Sequence, residues 1–502
     1  MPNIMSEDSR ISRKTLSMII LVVCIFIVLL YNLPGSRKPG ETESGPLVVP
    51  ENTTGQAVNH LDLESIEHIE KATKKSHKVR IESWNTPKGA RVLYVQAAEI
   101  PMLDVRVVFD AGAARDGSLP GVAKLTNAML TEGAGVADVD EIARHFEGLG
   151  ADISTESYRD MALVSLRTLS DPQYRDEALS LFYDVVAQPT FPDNSLNRLR
   201  SKMQLSLQHE QQSPGALAQK AFFENLYGSA PYSSPPNGTE LSLEAINEGA
   251  LEDFHKKYYV ASNMVVAIIG AIDRTDAELI ASQLDKQLPA GQPAPPLGRI
   301  EALSAPADQH IHFPSSQTHI MVGGVGIKRG DPDWYAISVG NEILGGGGFS
   351  SRLNQVIRQD KGLAYSVYSH FTPMAAEGPF FVNLQTRADQ TNEALKLLDT
   401  TLSDFVNNGP TDAELADAKR NLLGSFPLQT ASNSNIAQYL GMIGFYNLPL
   451  SYLEKYPAAI EKVTKDDIKK AFQRVVHPNA LLTITAGQAD AEQDDSLGDG
   501  KP

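Results

Sequence analysis

Cysteine is nearly absent: the 502-residue chain has one, Cys24. No disulfide can form within it, so cysteine usage neither requires nor excludes an oxidising compartment. A thiolate zinc cluster, which needs several cysteines, is excluded. Positive charge is also short. Lys and Arg number 44 against 61 Asp and Glu, a formal net charge of −17. Nucleic-acid affinity comes mainly from clustered Lys and Arg, so no nucleic-acid partner is expected. The acidic excess reads as solubility, part of it in the terminal AEQDDSLGDG. A single long hydrophobic run stands out. SMIILVVCIFIVLLYNLP lies within an uncharged window from Thr15 to Ser36, with Arg10, Arg13 and Lys14 before it. A membrane-spanning helix needs roughly 17–25 residues, so the run is adequate. The basic residues favour a cytoplasmic N-terminus, and no small-x-small cleavage site follows, which favours an uncleaved anchor over a signal peptide. The expectation is a membrane-anchored chain with its bulk outside the cytoplasm, on the periplasmic side if bacterial.

What is present divides the chain. Residues 1–15 read as a cytoplasmic segment, 16–34 as the transmembrane anchor or signal, and 35–76 as a Pro/Gly/polar tether. A breaker-rich stretch with five prolines, LPAGQPAPPLGRIEALSAP, marks a linker at 288–307. It separates segments of similar length, 77–287 and 308–488, and 489–502 is an acidic tail. The segments look related. The first closes on FHKKYYVASNMVVAIIGAID and the second on FQRVVHPNALLTITAGQAD: a helix end, a break, an Asn, a β-rich run and a Gly. Near their starts, VRVVFDAGAARDGSLPGVAKLTNAMLTEG and IMVGGVGIKRGDPDWYAISVGNEILGGG both read strand, polar turn with Asp, then a helix closed by Gly. ALVSLRTL and FFVNLQTR read as strands, and NEALKLLDTTLSDFVNNG as a helix with an apolar stripe and a Gly stop. Thr411 and Glu414 have capping-box spacing at the start of another helix. The fold class expected is α+β, with two α/β sandwich domains, each a mixed sheet flanked by helices.

Several segments together resemble the pitrilysin/insulinase-type (inverzincin) metallopeptidases. They are LGGGGFSSRLNQVIRQDKGLAYSVYS, NNGPTDAELADAKRNLLGS, GLGADISTESYRDMALVSLRTLS and the surroundings of GVAKLTNAML. The resemblance covers about residues 80–488. It implies two homologous domains forming one half of a clamshell around a peptide chamber. Active members carry H-x-x-E-H, with two histidines on one helix face for zinc and a glutamate that activates water. Those positions fall here on Lys124, Asn127 and Ala128, and no H-x-x-E-H or H-E-x-x-H occurs anywhere in the chain. The third ligand position falls on Ser206, with Gln204, His209 or Glu210 within one turn. Catalytic zinc takes three protein ligands, and at most one candidate remains. No metal is expected in this chain, and zinc is expected in a partner subunit.

The same resemblance implies a substrate-binding Arg and Tyr, matched by Arg358 and Tyr365 in IRQDKGLAY. Phe349, Leu353, Val356 and Ile357 are expected on the buried side of a helix, Gly362 in its left-handed cap, and Leu363, Tyr365 and Val367 on one strand face. Arg offers a planar fork to a peptide carbonyl or carboxylate, and the Tyr hydroxyl suits an oxyanion. The plain alternative is a surface Arg and a core Tyr, and Arg352 reads as structural. The Lys124 ammonium either replaces the missing metal's charge or is an exposed helix lysine. GGGGFSS lacks the G-K-[ST] ending of a phosphate loop. His310 and His312 lack a third ligand and read as surface residues. Asn52 and Asn237 head glycosylation sequons, which matter in a eukaryotic secretory route.

The function expected is a non-catalytic, substrate-binding subunit of a heterodimeric zinc-dependent metalloendopeptidase, its partner a homologous H-x-x-E-H subunit. The alternatives are an inactive structural or peptide-binding scaffold of a membrane-associated complex, and a self-sufficient zinc peptidase with substituted ligands.

Overall fold

The computed structural model describes residues 79–488. Its strands are β1 (Glu82–Asn85), β2 (Arg91–Gln96), β3 (Met102–Phe109), β4 (Gly133–Ala134), β5 (Ala137–Asp138), β6 (Asp152–Ser157), β7 (Ala162–Leu169), β8 (Met264–Gly270), β9 (Ala307–His312), β10 (Gln317–Val325), β11 (Ser366–Phe371), β12 (Pro379–Arg387) and β13 (Leu482–Gly487). One mixed sheet runs β1-β2-β8-β3-β7-β6 and another β11-β12-β10-β13-β9, while β4 and β5 form a small hairpin. Read from its other edge, the second sheet repeats β2-β8-β3-β7-β6. The pairs β2/β8 and β9/β13 are parallel, and the remaining neighbours in that series are antiparallel. The two stretches paired by sequence pattern above therefore enter and leave equivalent strands. Helices flank both sheets, as expected for this α+β class.

Strand β8 is apolar at every position because both of its faces are covered, and β10 is apolar from Ile320 onward for the same reason. In β8, Met264, Val266 and Ile268 join one core, while Val265, Ala267 and Ile269 join another. In β10, Ile320 and Val322 face one core and Met321 and Val325 a different one. The second layer on each sheet comes from the far side of the 288–307 break. Helix Pro214–Tyr227, capped by Ser213 and opened by Pro214, lays Ala218, Ala221, Phe222 and Leu226 against β10 and β13. Phe222 meets Phe381 edge-on with ring centroids 6.2 Å apart. Helix Asn433–Phe445 packs Ala437, Leu440 and Ile443 against β2, β3 and β8. The break divides the strands between the sheets, yet each side lends one helix to the other. Residues 288–306 have no regular structure but are held in place: Ala261 and Ser262 donate backbone bonds to Pro289 and Ala290, and Leu297, Ile300 and Leu303 pack against the core cluster to which Phe222 belongs.

Helix Asn433–Phe445 approaches its sheet closely because of a glycine. A Cβ at Gly444 would stand 2.3 Å from Val265 Cγ1 and 2.8 Å from Leu93 Cδ1. Overpacking of this kind costs about 1–3 kcal/mol. Gly444→Ala is therefore expected to lower the unfolding free energy by that amount in a denaturant melt.

A buried carboxylate also spans the break. Asp160, 4% exposed, accepts bonds from Tyr232 Oη at 2.5 Å, Tyr446 Oη at 2.9 Å and the Ala375 N–H at 2.8 Å. The Tyr232 hydroxyl accepts in turn from the Ala376 N–H at 3.0 Å. Burial raises the Asp160 pKa against these donors.

The localisation expected from the sequence is corrected here. Among the described residues no helix is long and apolar enough to cross a membrane. The run at 16–34 that motivated a membrane anchor lies outside the described residues, as do the tether at 35–76 up to Lys78 in the next segment, and the acidic tail 489–502. A placement outside the cytoplasm has no support.

Candidate functional site

The helix Val122–Met129 carries three of the four positions where the resemblance puts a metal site. It begins after Gly121, and its first amides are capped from a distance. Asp116, buried, accepts from the Gly121 and Ala123 N–H groups, both at 2.9 Å, and from Ser234 Oγ at 3.1 Å. Burial pushes its carboxyl up to about 7, against the pull of those donors. Asn127 is 2% exposed, and its amide donates to the Leu163 carbonyl at 3.1 Å and to Tyr259 Oη at 3.3 Å. It is a packing residue whose side chain is committed to the neighbouring strand. Ala128 has no donor atom. Lys124 is half-buried and donates through Nζ to Asn237 Oδ1, while Asn237 Nδ2 donates to Glu210. Burial lowers the Lys124 pKa, with Glu210 opposing.

Glu210 therefore reaches this cluster through Asn237, whereas Ser206, the position given by spacing, is exposed on helix Asp193–Gln211, and its hydroxyl has no hydrogen bond among the described residues. These side chains do not suit a catalytic zinc ion. One position offers no atom, one offers an amide whose nitrogen is bonded elsewhere, and the third is an ammonium that carries the metal's sign of charge. Sequence reading placed Glu210 only within one turn of the site and gave Asn237 no part in it beyond a sequon. The chain of bonds joins residues far apart in sequence, and no local pattern announces it.

The second cluster lies after β10. Two π-helical stretches, Glu342–Gly346 and Asn354–Asp360, flank the short turn Gly348–Ser350. Such π stretches are rare and recur at functional sites. Leu353 and Ile357 are buried as expected, but Phe349 is not on that side: it is 68% exposed. The glycine run before it takes the chain out of the helical repeat, so its side chain leaves the apolar stripe. Gly362, at φ +65°, forms the left-handed cap, its N–H bonded to the Arg358 carbonyl at 3.0 Å. Tyr365 also departs from expectation. Leu363 and Val367 are buried, yet Tyr365 is 77% exposed, because β11 begins only at Ser366 and strand alternation has not started.

Arg358 lies between exposed rings. Its Cζ is 4.6 Å from the Phe349 centroid and 6.0 Å from that of Tyr365. Among the described residues its guanidinium has no hydrogen bond or ion pair, and the Tyr365 hydroxyl has no partner. Arg352 is the contrast. It pairs with Glu414 at 2.8 Å and Asp404 at 3.1 Å; burial works to raise the Glu414 pKa, but Arg352 and the Thr411 bonds together hold it below its ordinary value. Glu414 also closes the expected capping box with Thr411. Arg352 thus ties helices together, whereas Arg358 is left free to bind something else. No hydrogen bond or ion pair joins this cluster to the one around Lys124 among the described residues. His310 is exposed and meets Thr485 Oγ1 at 2.8 Å, and His312 is exposed.

Comparison with known proteins gives the same lineage from two directions. Residues 91–240 match insulinase, peptidase family M16, and residues 245–422 match the peptidase M16 inactive domain. The crystal structure of a peptidase M16 inactive domain from Pseudomonas fluorescens is 45% identical, with a TM-score of 0.80, and covers 82% of this chain and 98% of that one. The chain belongs to peptidase family M16. "Non-peptidase homolog YmxG" of Helicobacter pylori is 27% identical over 75% of this chain and 87% of its own length. "Uncharacterized zinc protease YmxG" of Bacillus subtilis is 23% identical over 71% of this chain and 86% of its own length. The structure of a protease from Helicobacter pylori, 18% identical with a TM-score of 0.75, shares the fold. In this M16 chain, then, the helix Val122–Met129, on which the resemblance puts the H-x-x-E-H positions, has an Asp116 cap, a packed Asn127 and neither histidine nor glutamate.

Proposed function

We propose that this chain is the non-catalytic, peptide-binding subunit of a two-chain zinc peptidase. Its partner is a homologous chain that carries H-x-x-E-H and holds the zinc. Residues 77–287 and 308–488 act as its two domains, joined at 288–307, and form one half of the chamber. Arg358 and Tyr365 hold the peptide main chain, the guanidinium on a carbonyl or carboxylate oxygen and the hydroxyl as a second donor. The observation that carries this reading is an Arg358 guanidinium without a hydrogen-bond or ion-pair partner among the described residues, beside a Tyr365 that is 77% exposed. At the Lys124 helix the side chains of Lys124 and Asn127 are both bonded within the protein, which suits scaffold rather than chemistry. The test is cleavage of an unfolded protein such as casein by this chain alone and mixed with a homologue that carries the zinc motif. The chain alone is expected to be inert, and the mixture more active than the homologue alone. A homologue equally active without this chain would remove the proposal.

A further inference from the structure

Resting on that reading, we infer that Phe349 determines specificity at the Arg358 site: its ring is a platform for an apolar, preferably aromatic, peptide side chain next to the carbonyl that Arg358 holds. Phe349 belongs to none of the apolar cores, although Leu353 and Ile357 close behind it do. Its main chain is pinned, since Gln359 Nε2 donates to the Phe349 carbonyl at 2.7 Å. The ring is thus presented outward from a fixed backbone. It lies 4.6 Å from Arg358 Cζ, with Tyr365 at 6.0 Å, so the guanidinium has rings for neighbours, and its N–H groups have no acceptor among the described residues. A peptide oxygen held by those N–H groups fixes the peptide beside the rings. Successive Cα atoms are about 3.8 Å apart, a step comparable with the ring-to-guanidinium distance. The adjacent side chain therefore falls within reach of Phe349. An apolar group there covers the exposed ring face, and an aromatic one adds ring–ring contact. An acidic side chain gains the Arg358 charge but leaves the ring in water.

The experiment uses the full chain and two fluorescein-labelled ten-residue Gly/Ser peptides that differ at one central position, Phe or Ala, read by anisotropy. The wild-type chain is expected to prefer the Phe peptide by on the order of tenfold. Phe349→Ala brings the two affinities to near equality, Phe349→Leu retains part of the preference, and Arg358→Ala weakens both peptides alike. Phe349 is exposed and outside the cores, so its variants should melt with the wild type. Undiminished preference in Phe349→Ala, or equal weakening of both peptides by it, overturns the inference and leaves the role of Arg358 standing. A wild-type chain that binds neither peptide overturns the site reading, and this inference with it.

Discussion

Replacing Arg358 with alanine should lower peptide turnover by the two-chain complex on the order of ten- to a hundredfold and leave assembly intact. The estimate comes from the loss of one charge-assisted hydrogen bond to the substrate, about 1.5–3 kcal/mol. The guanidinium lies beside the Phe349 and Tyr365 rings and has no hydrogen bond or ion pair among the described residues, so its removal breaks no such pair there. The fold should tolerate the change, and the loss should appear in kcat/KM rather than in thermal stability. Arg358→Lys keeps the charge but not the planar fork, and should fall between the two. Arg352→Ala is the control. It breaks pairs with Glu414 and Asp404 and should lower stability. Unchanged kcat/KM in the Arg358→Ala complex would remove the role given to that residue.

Asp160→Ala should destabilise the chain by roughly 3–5 kcal/mol, the range for breaking a buried charged network by removing one partner. Two tyrosine hydroxyls and the Ala375 N–H would lose their acceptor in a site closed to water. The bonds also cross between strands of different sheets: Asp160 precedes β7, while Ala375 lies between β11 and β12. Asp160→Asn keeps the shape and one acceptor oxygen, and should cost less than the alanine variant. A denaturant melt with the midpoint and slope of wild type would show that the network contributes nothing.

Much of the fold was legible because its signals are local. ALVSLRTL is β7 residue for residue, and Gly409 and Gly362 stop or cap their helices with positive φ. The Thr411–Glu414 box needs only four consecutive residues. The repeat could be read because each copy keeps strand, turn and helix in the same order. The exchange of helices could not. The stripe Ala218, Ala221, Phe222, Leu226 says that a helix has an apolar face, not which sheet that face meets. The neighbourhood of Arg358 was legible where sequence neighbours form it, as with the Tyr365 ring 6.0 Å from its guanidinium. It was misread where backbone geometry breaks periodicity: Phe349 leaves the helical stripe through a glycine turn, and Tyr365 stands one residue before its strand. The bond from Lys124 through Asn237 to Glu210 joins three distant segments, which only the folded chain brings together.

The central claim is that hydrolytic metal chemistry lies outside this polypeptide. The most direct measurement is the zinc content of the purified chain after dialysis, taken together with its cleavage of casein in the absence of any homologue. The account predicts far less than one zinc per chain and no cleavage. One tightly held zinc per chain, with cleavage that a chelator abolishes and added zinc restores, would contradict it.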